Sequence, residues 1–172
     1  IVSHEPLFYQ KRWSVDAEAG NSWITEADDE DKIVNQKRAE ALKRMDGCLF
    51  RCHSNWDPAP EIGITAQLIA TMELGPTTKS GRFTTLHEVA PITVRDLARK
   101  VQQRLNTGAI RVVGDLDREV TQVATLIGGL GQLFNSPEDP AALGAEVIIA
   151  GECLAYTLHY AKELGVALIE AG

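Results

Sequence analysis

Histidines and carboxylates stand directly after apolar segments at two places early in this sequence. His4 and Glu5 occur in IVSHEPLFY, and His53 and Asp57 follow the apolar segment CLFRC in CHSNWD. Imidazole and carboxylate donors without thiolates suit zinc, manganese, iron, cobalt or magnesium. Mixed sets of this kind also occur in two-metal hydrolytic sites, where a bound water becomes more acidic. These residue types therefore predict a site for divalent metal ions.

Each of these residues also has a purely structural interpretation. A His-Glu pair at the end of a strand is commonly a surface pair, and Asp57 before Pro58 is typical of the start of a turn. His53 is equally compatible with a core histidine whose ring nitrogens are satisfied. Pro6 favours the site, because proline cannot donate to a strand ladder and biases Glu5 away from helical backbone.

Two later segments place a carboxylate and glycines after predicted strands. Glu152 follows AEVIIAG and is either a site residue or a carboxylate favoured by a helix N-terminus. Gly129 and Gly131 belong to GGLG, which predicts either a backbone cradle for an anion or a tight turn. Ligands of open α/β sheets bind beyond the carboxyl ends of the strands, so all of these positions are candidates for one site.

The elements that must position these residues are predicted from apolar patterns. Segments rich in β-branched residues predict buried strands at 48–52, 110–113, 120–127, 146–150 and 166–169. Helices are predicted from a capping-box-like start at 25–28 to residue 47, at 62–74, at 93–108 and at 154–164. This alternation predicts an α/β fold with helices packed on a sheet. A turn at Gly114-Asp115 predicts a hairpin and therefore a mixed sheet.

The remaining segments predict loops and two lobes. Residues 10–24 are predicted to be a loop, and His87 is placed in a loop-like segment with no partner nearby in the sequence. The chain is expected to form one α/β lobe over residues 1–80, with the metal-ligand candidates, and a second over 81–172, or else one continuous domain.

Composition excludes several classes of protein. The 172 residues carry a net charge of −7 without a basic stripe, which argues against a nucleic-acid partner. No apolar segment approaches the ~20 residues that span a bilayer, so no membrane association is expected. Three cysteines without a CxxC pair favour reduced thiols in a cytoplasmic protein over a disulfide framework. Both ends interrupt apolar segments, so the chain is expected to be a fragment of a longer protein.

The order of the segments resembles a known family. IVSHEPLFY is similar to the strand-end HHP segment of the NIF-three-like dinuclear-metal proteins, also described as GTP cyclohydrolase I type 2 homologues. CHSNWD is similar to their HTNxD segment, and SGRFTTLHEVAPITVRDLARKVQQRL, AIRVVGDLDREVTQVATLIGGLGQ, AEVIIAGE and VALIEAG resemble later segments in the same order. The resemblance is to a branch that carries HEP in place of HHP.

The resemblance implies a ring-shaped hexamer of α/β subunits with two metal ions facing an interior cavity. His4 and Asp57 are expected to be ligands, with Glu5 as the ligand in place of the commoner second histidine. His53 is expected to be a ligand or an immediate neighbour, and Glu152 to lie beside the site. By the same resemblance, the cavity wall is expected to include Gly129 and Gly131.

The expected activity is metal-dependent hydrolysis of a nucleotide-like or phosphorylated small molecule, with His53 or Glu152 as the general base. The alternative is a non-catalytic metal-binding scaffold or regulatory protein. The family's remaining ligands belong to a GHxxxE-type segment after the last strand, beyond residue 172, so the chain is expected to hold about half of a dinuclear site.

Overall fold

The computed structural model describes residues 1–4, 14–15, 23–24, 33–53, 55–81, 83–130 and 136–172. The chain divides into two compact units, Ile1–Trp56 and Asp57–Gly172. The predicted division into lobes at residue 80 stays a prediction. Among the helices of the described ranges, none combines the length and apolar character needed to cross a membrane.

The first unit contains a short parallel strand pair. Its elements are β1 (Val2–Ser3), β2 (Ser14–Val15), β3 (Trp23–Ile24), α1 (Ile33–Arg44) and β4 (Phe50–Arg51). β1 lies parallel to β4, with Val2 opposite Phe50, and β2 pairs antiparallel with β3. The prediction of a buried strand at 48–52 is wrong about burial, because Phe50 is 60% exposed. β2 and β3 fall in the predicted loop, and the predicted helix start at 25–28 lies outside the described residues.

The second unit is built on a six-stranded mixed sheet. Its strands are β5 (Thr77–Ser80), β6 (Thr84–Thr93), β7 (Arg111–Val113), β8 (Glu119–Leu126), β9 (Val147–Ala150) and β10 (Ala167–Glu170). Its helices are α2 (Ile64–Met72), α3 (Val94–Leu105), α4 (Glu138–Leu143) and α5 (Ala155–Glu163). The strand order is β5-β6-β8-β9-β10-β7, with β8, β9 and β10 parallel to one another and the other pairs antiparallel. The predicted α/β fold with a mixed sheet is confirmed.

Both faces of this sheet are covered, which explains the continuous apolar character of β9 and β10. Ile149 packs into a core with Met72 and Val101 from the helices α2 and α3. Ile148, on the opposite face, packs into a second core with Ala161 of α5. Successive side chains of a strand point to opposite faces, so a strand between two helical layers is apolar at every position.

The hairpin predicted at Gly114-Asp115 is wrong. β7 pairs with β10, with Val113 opposite Leu168, whereas β8 lies between β6 and β9. The segment between β7 and β8 bonds instead to the start of α3, where Arg95 N–H donates to the Leu116 carbonyl at 2.9 Å. β8 is largely buried and takes a central position, whereas the short, partly exposed β7 is at an edge. The turn residues mark a change of direction but do not identify the partner strand.

Two strands, β5 and β6, occupy a segment predicted to be loop-like around His87. Polar residues and Pro91 obscure the alternating pattern of β6. Its register against β8 shifts after Glu88, since Glu88 faces Gln122 and Ile92 faces Val120. The extra residues form an irregularity that accommodates a proline inside a strand.

His87 is fully buried in β6 and bonded through both ring nitrogens. Nδ1 lies 3.2 Å from the Gly75 carbonyl, and Nε2 lies 3.0 Å from Thr85 Oγ1. A carbonyl only accepts, so Nδ1 carries the proton and Nε2 accepts from the Thr85 hydroxyl. Thr85 Oγ1 then accepts from the Thr125 hydroxyl at 2.6 Å. The hydrogen bonds therefore run from Thr125 through Thr85 to His87.

The free energy of unfolding should depend on pH, because His87 is buried in its neutral form. Burial lowers the pKa of His87 below its ordinary value of 6.5, against the opposing effect of the Gly75 and Pro76 backbone. The unfolded chain therefore takes up this proton first, so the stability contribution is complete above about pH 6.5 and is lost as the pH falls toward the lower folded pKa. Nitrogen-15 NMR of the imidazole should show the Nδ1–H tautomer, with less than half of the rings protonated at pH 6.5. A half-protonated ring at that pH would contradict this assignment.

Candidate metal centre

The parallel pair of β1 and β4 brings two histidines together. Phe50 N–H donates to the Ile1 carbonyl at 2.8 Å, and Cys52 N–H donates to the Ser3 carbonyl at 2.7 Å. His4 follows β1 directly and His53 comes two residues after β4, so both lie beyond the carboxyl ends of neighbouring parallel strands, which meet at one edge. Their ring centroids lie 4.4 Å apart with the ring planes inclined at 43°.

A turn after His53 adds a carboxylate to the two imidazoles. Trp56 N–H donates to the His53 carbonyl at 2.7 Å, and the Asp57 carbonyl accepts from Thr65 N–H at 3.2 Å. The metal-binding atoms of His4, His53 and Asp57 all lie within 4.8 Å of one another, and all three residues are partly buried. Two imidazole nitrogens and a carboxylate oxygen are donors that suit zinc, manganese, iron and cobalt, so these residues fit a divalent metal ion.

The other predicted site residues have different placements. Glu5 and Gly131 lie outside the described residues. Glu152 and Gly129 belong to the second unit, where they follow β9 and β8. The roles predicted for these four residues stay predictions.

The glycine segment packs closely against the segment that carries Glu152. Leu130 N–H donates to the Glu152 carbonyl at 2.8 Å, and Leu154 N–H donates to the Leu130 carbonyl at 3.2 Å. A Cβ on Gly151 would lie 3.0 Å from the Gly128 carbonyl oxygen, so the two chains approach where only glycine fits easily. The Leu130 N–H is thus bonded to another part of the backbone and is not offered to an anion. This supports a structural role for this part of the glycine segment.

A partly exposed ion pair at the end of β10 is bonded to the segment that carries Glu152. Glu170 accepts from the Arg111 guanidinium, and its other carboxylate oxygen accepts from Cys153 N–H at 2.9 Å. The Glu170 side chain is only 17% exposed. No spacing in the sequence links these residues, because Arg111 and Glu170 meet only through the pairing of β7 with β10.

The Cys153 thiol should react more slowly than the thiol of exposed Cys48. Burial raises the pKa of its thiol to about 11, with a further increase from the Glu170 charge and an opposing effect of Arg111. Only the thiolate is nucleophilic, so roughly one Cys153 in a thousand is reactive at pH 8. Exposed Cys48 should be labelled by iodoacetamide well before Cys153. Peptide mass spectrometry measures both rates, and equal rates would contradict the expected protection.

Comparison with known proteins matches this chain to one family. The model of Duf34/NIF3 (NGG1p interacting factor 3) matches residues 1–172. A "GTP cyclohydrolase 1 type 2 homolog" from Escherichia coli K12 is 30% identical over 145 residues, which cover 81% of this chain and 56% of the relative. A relative of the same name from Clostridium perfringens is 25% identical over 181 residues, covering 100% of this chain and 62% of the relative.

A solved structure described as "protein ybgI, unknown function" has a similar fold. It aligns with a TM-score of 0.71 at 29% identity, covering 82% of this chain and 56% of that chain. This chain therefore spans little more than half the length of the relatives that it matches.

Proposed function

This chain belongs to the Duf34/NIF3 family, and we propose that its His4, His53 and Asp57 cluster holds a divalent metal ion for the hydrolysis of a nucleotide-like or phosphorylated small molecule. The proposal is carried by one observation, the convergence of the three donor groups within 4.8 Å. A bound metal ion supplies Lewis acidity and a more acidic water in such sites. The names of the relatives, GTP cyclohydrolase 1 type 2 homologues, support a nucleotide-like substrate.

The residues of the chain have distinct roles in this proposal. His4 and His53 bind through neutral imidazole nitrogens, and Asp57 contributes a negative charge that offsets part of the charge of the ion. Glu5 follows His4 directly and is the first candidate for a further carboxylate donor toward a second ion. Glu152, an exposed carboxylate beyond β9, is the proposed general base.

We propose a hexameric ring as the assembly and the cytoplasm as the location. The hexamer follows from the family resemblance, and the cytoplasm from three cysteines that are all free thiols. A non-catalytic metal-binding scaffold or regulatory protein uses the same donor set and is the alternative that the experiment must separate from an enzyme.

The test combines elemental analysis with a screen for turnover. The intact protein is loaded with manganese, zinc or iron, analysed for bound metal, and assayed on phosphoesters and nucleotides. Turnover that is lost in Asp57→Ala and kept in Glu163→Ala, an exposed carboxylate on α5, would support the hydrolase. Bound metal without turnover would favour the scaffold, and no metal above background would overturn both.

A further inference from the structure

The side chain of Asn55 folds back onto the end of β4. Its Oδ1 accepts from His53 N–H at 2.9 Å, and its Nδ2 donates to Cys52 Sγ at 3.6 Å. Asn55 is exposed, so neither bond is a by-product of core packing. The amide of Asn55 thus bonds to Cys52 and His53, the two residues that follow β4.

One of these two bonds, the bond to Oδ1, is made by the backbone N–H of His53, a residue of the proposed metal centre. The position of the His53 ring depends on the backbone direction at His53, where the chain leaves the strand. Two hydrogen bonds contribute to that direction, one from Trp56 N–H to the His53 carbonyl at 2.7 Å and one from His53 N–H to Asn55. Removal of the Asn55 side chain removes the second of these bonds, so the turn samples more conformations before a metal ion binds.

The geometry favours a positioning role for Asn55 over a ligand role. An amide ligates a metal ion through its oxygen. In Asn55 this oxygen accepts from the backbone amide of His53 at 2.9 Å. Residues that orient metal ligands in this way typically contribute about 10–100-fold to metal affinity.

We propose that Asn55 is a positioning residue of the metal centre, which holds the turn from His53 to Asp57 in the metal-binding conformation. The inference rests on the proposed function, which supplies the metal centre. It adds that the Asn55 side chain holds the turn in place before a metal ion binds. A turn ordered in advance costs less free energy when the ligand binds.

The experiment measures cobalt(II) affinity and local backbone protection in the intact protein. Asn55→Ala should bind Co²⁺ about 10–100-fold more weakly than the unsubstituted protein, at an unchanged melting temperature. Asn55→Asp keeps the oxygen acceptor and should bind at least as tightly as the unsubstituted protein. Gln103→Ala removes an exposed side-chain amide from α3 and should change neither quantity. Hydrogen exchange of the His53 amide in the metal-free protein should be faster in Asn55→Ala and unchanged in Asn55→Asp.

The outcomes separate this inference from the proposed function. An unsubstituted protein that binds no Co²⁺ would overturn the metal centre, whereas equal affinity in Asn55→Ala would overturn only the positioning role. Hydrogen exchange of the His53 amide that is unchanged in Asn55→Ala would also overturn the positioning role, whether or not the protein binds a metal ion. If Asn55→Ala does not fold, Asn55→Gln displaces the amide by one methylene and should show the same losses, and wild-type affinity in Asn55→Gln would count against the inference.

Discussion

Asp57→Ala should lower the affinity of the protein for a divalent metal ion by at least about a hundredfold. Residues that only orient metal ligands contribute up to about a hundredfold, and a ligand should contribute at least as much. Within the described residues, Asp57 is the carboxylate that lies with His4 and His53, and its loss removes an oxygen donor and a negative charge from that cluster. The variant keeps the bond that anchors the turn to α2, because that bond uses the backbone carbonyl of Asp57. Competition with a chromophoric chelator measures the affinity.

Two further variants make this result specific. Asp57→Asn keeps the size and one oxygen but not the charge, so its affinity should lie between those of Asp57→Ala and the unsubstituted protein. His159→Ala removes an exposed imidazole of α5 and should leave the affinity unchanged. A loss of less than threefold in Asp57→Ala, with the protein folded, would mean that the three residues converge without forming a metal site.

The sequence predicts the donors of the centre better than it predicts their geometry. His4, His53 and Asp57 are recognisable because polar residues that follow apolar strands tend to gather at a ligand site. The sequence does not show that β1 and β4 are neighbours, because two-residue strands carry no pattern that identifies a partner. Asn55 has no signal of its own either, since an asparagine in a turn ordinarily satisfies local backbone.

For the fold as well, the sequence predicts elements that have a clear local pattern but does not predict which distant strands pair. β9 and β10 are predictable because strands covered on both faces are almost continuously apolar. β6 is not, because His87 and the threonine hydroxyls form a buried polar chain that resembles a loop in sequence. The bond between Arg111 and Glu170 depends on β7 lying beside β10, which the turn at Gly114 does not reveal.

Gly114→Ala should destabilise the second unit by on the order of 3 kcal/mol, a large share of the 5–15 kcal/mol typical of a folded protein. Gly114 has a φ of +119°, where a side chain is strained, and an added Cβ would lie 2.9 Å from Ala167 Cβ and 3.1 Å from Ala167 Cα. The free energy of unfolding in urea measures the effect. Gly108→Ala is the matched control, because its Cβ would meet no atom within 4 Å.

A double-mutant cycle with Ala167→Gly shows which strand Gly114 contacts. Removal of the Ala167 methyl group removes the 2.9 Å contact, so Gly114→Ala should cost less in that background, with a coupling of about 0.5–3 kcal/mol. A glycine in a β7–β8 hairpin turn would also have a positive φ, but its cost would be independent of Ala167. A coupling of zero would therefore argue for the hairpin suggested by the sequence. A coupling in the expected range requires Gly114 to lie against β10, because only that pairing brings the two residues into contact.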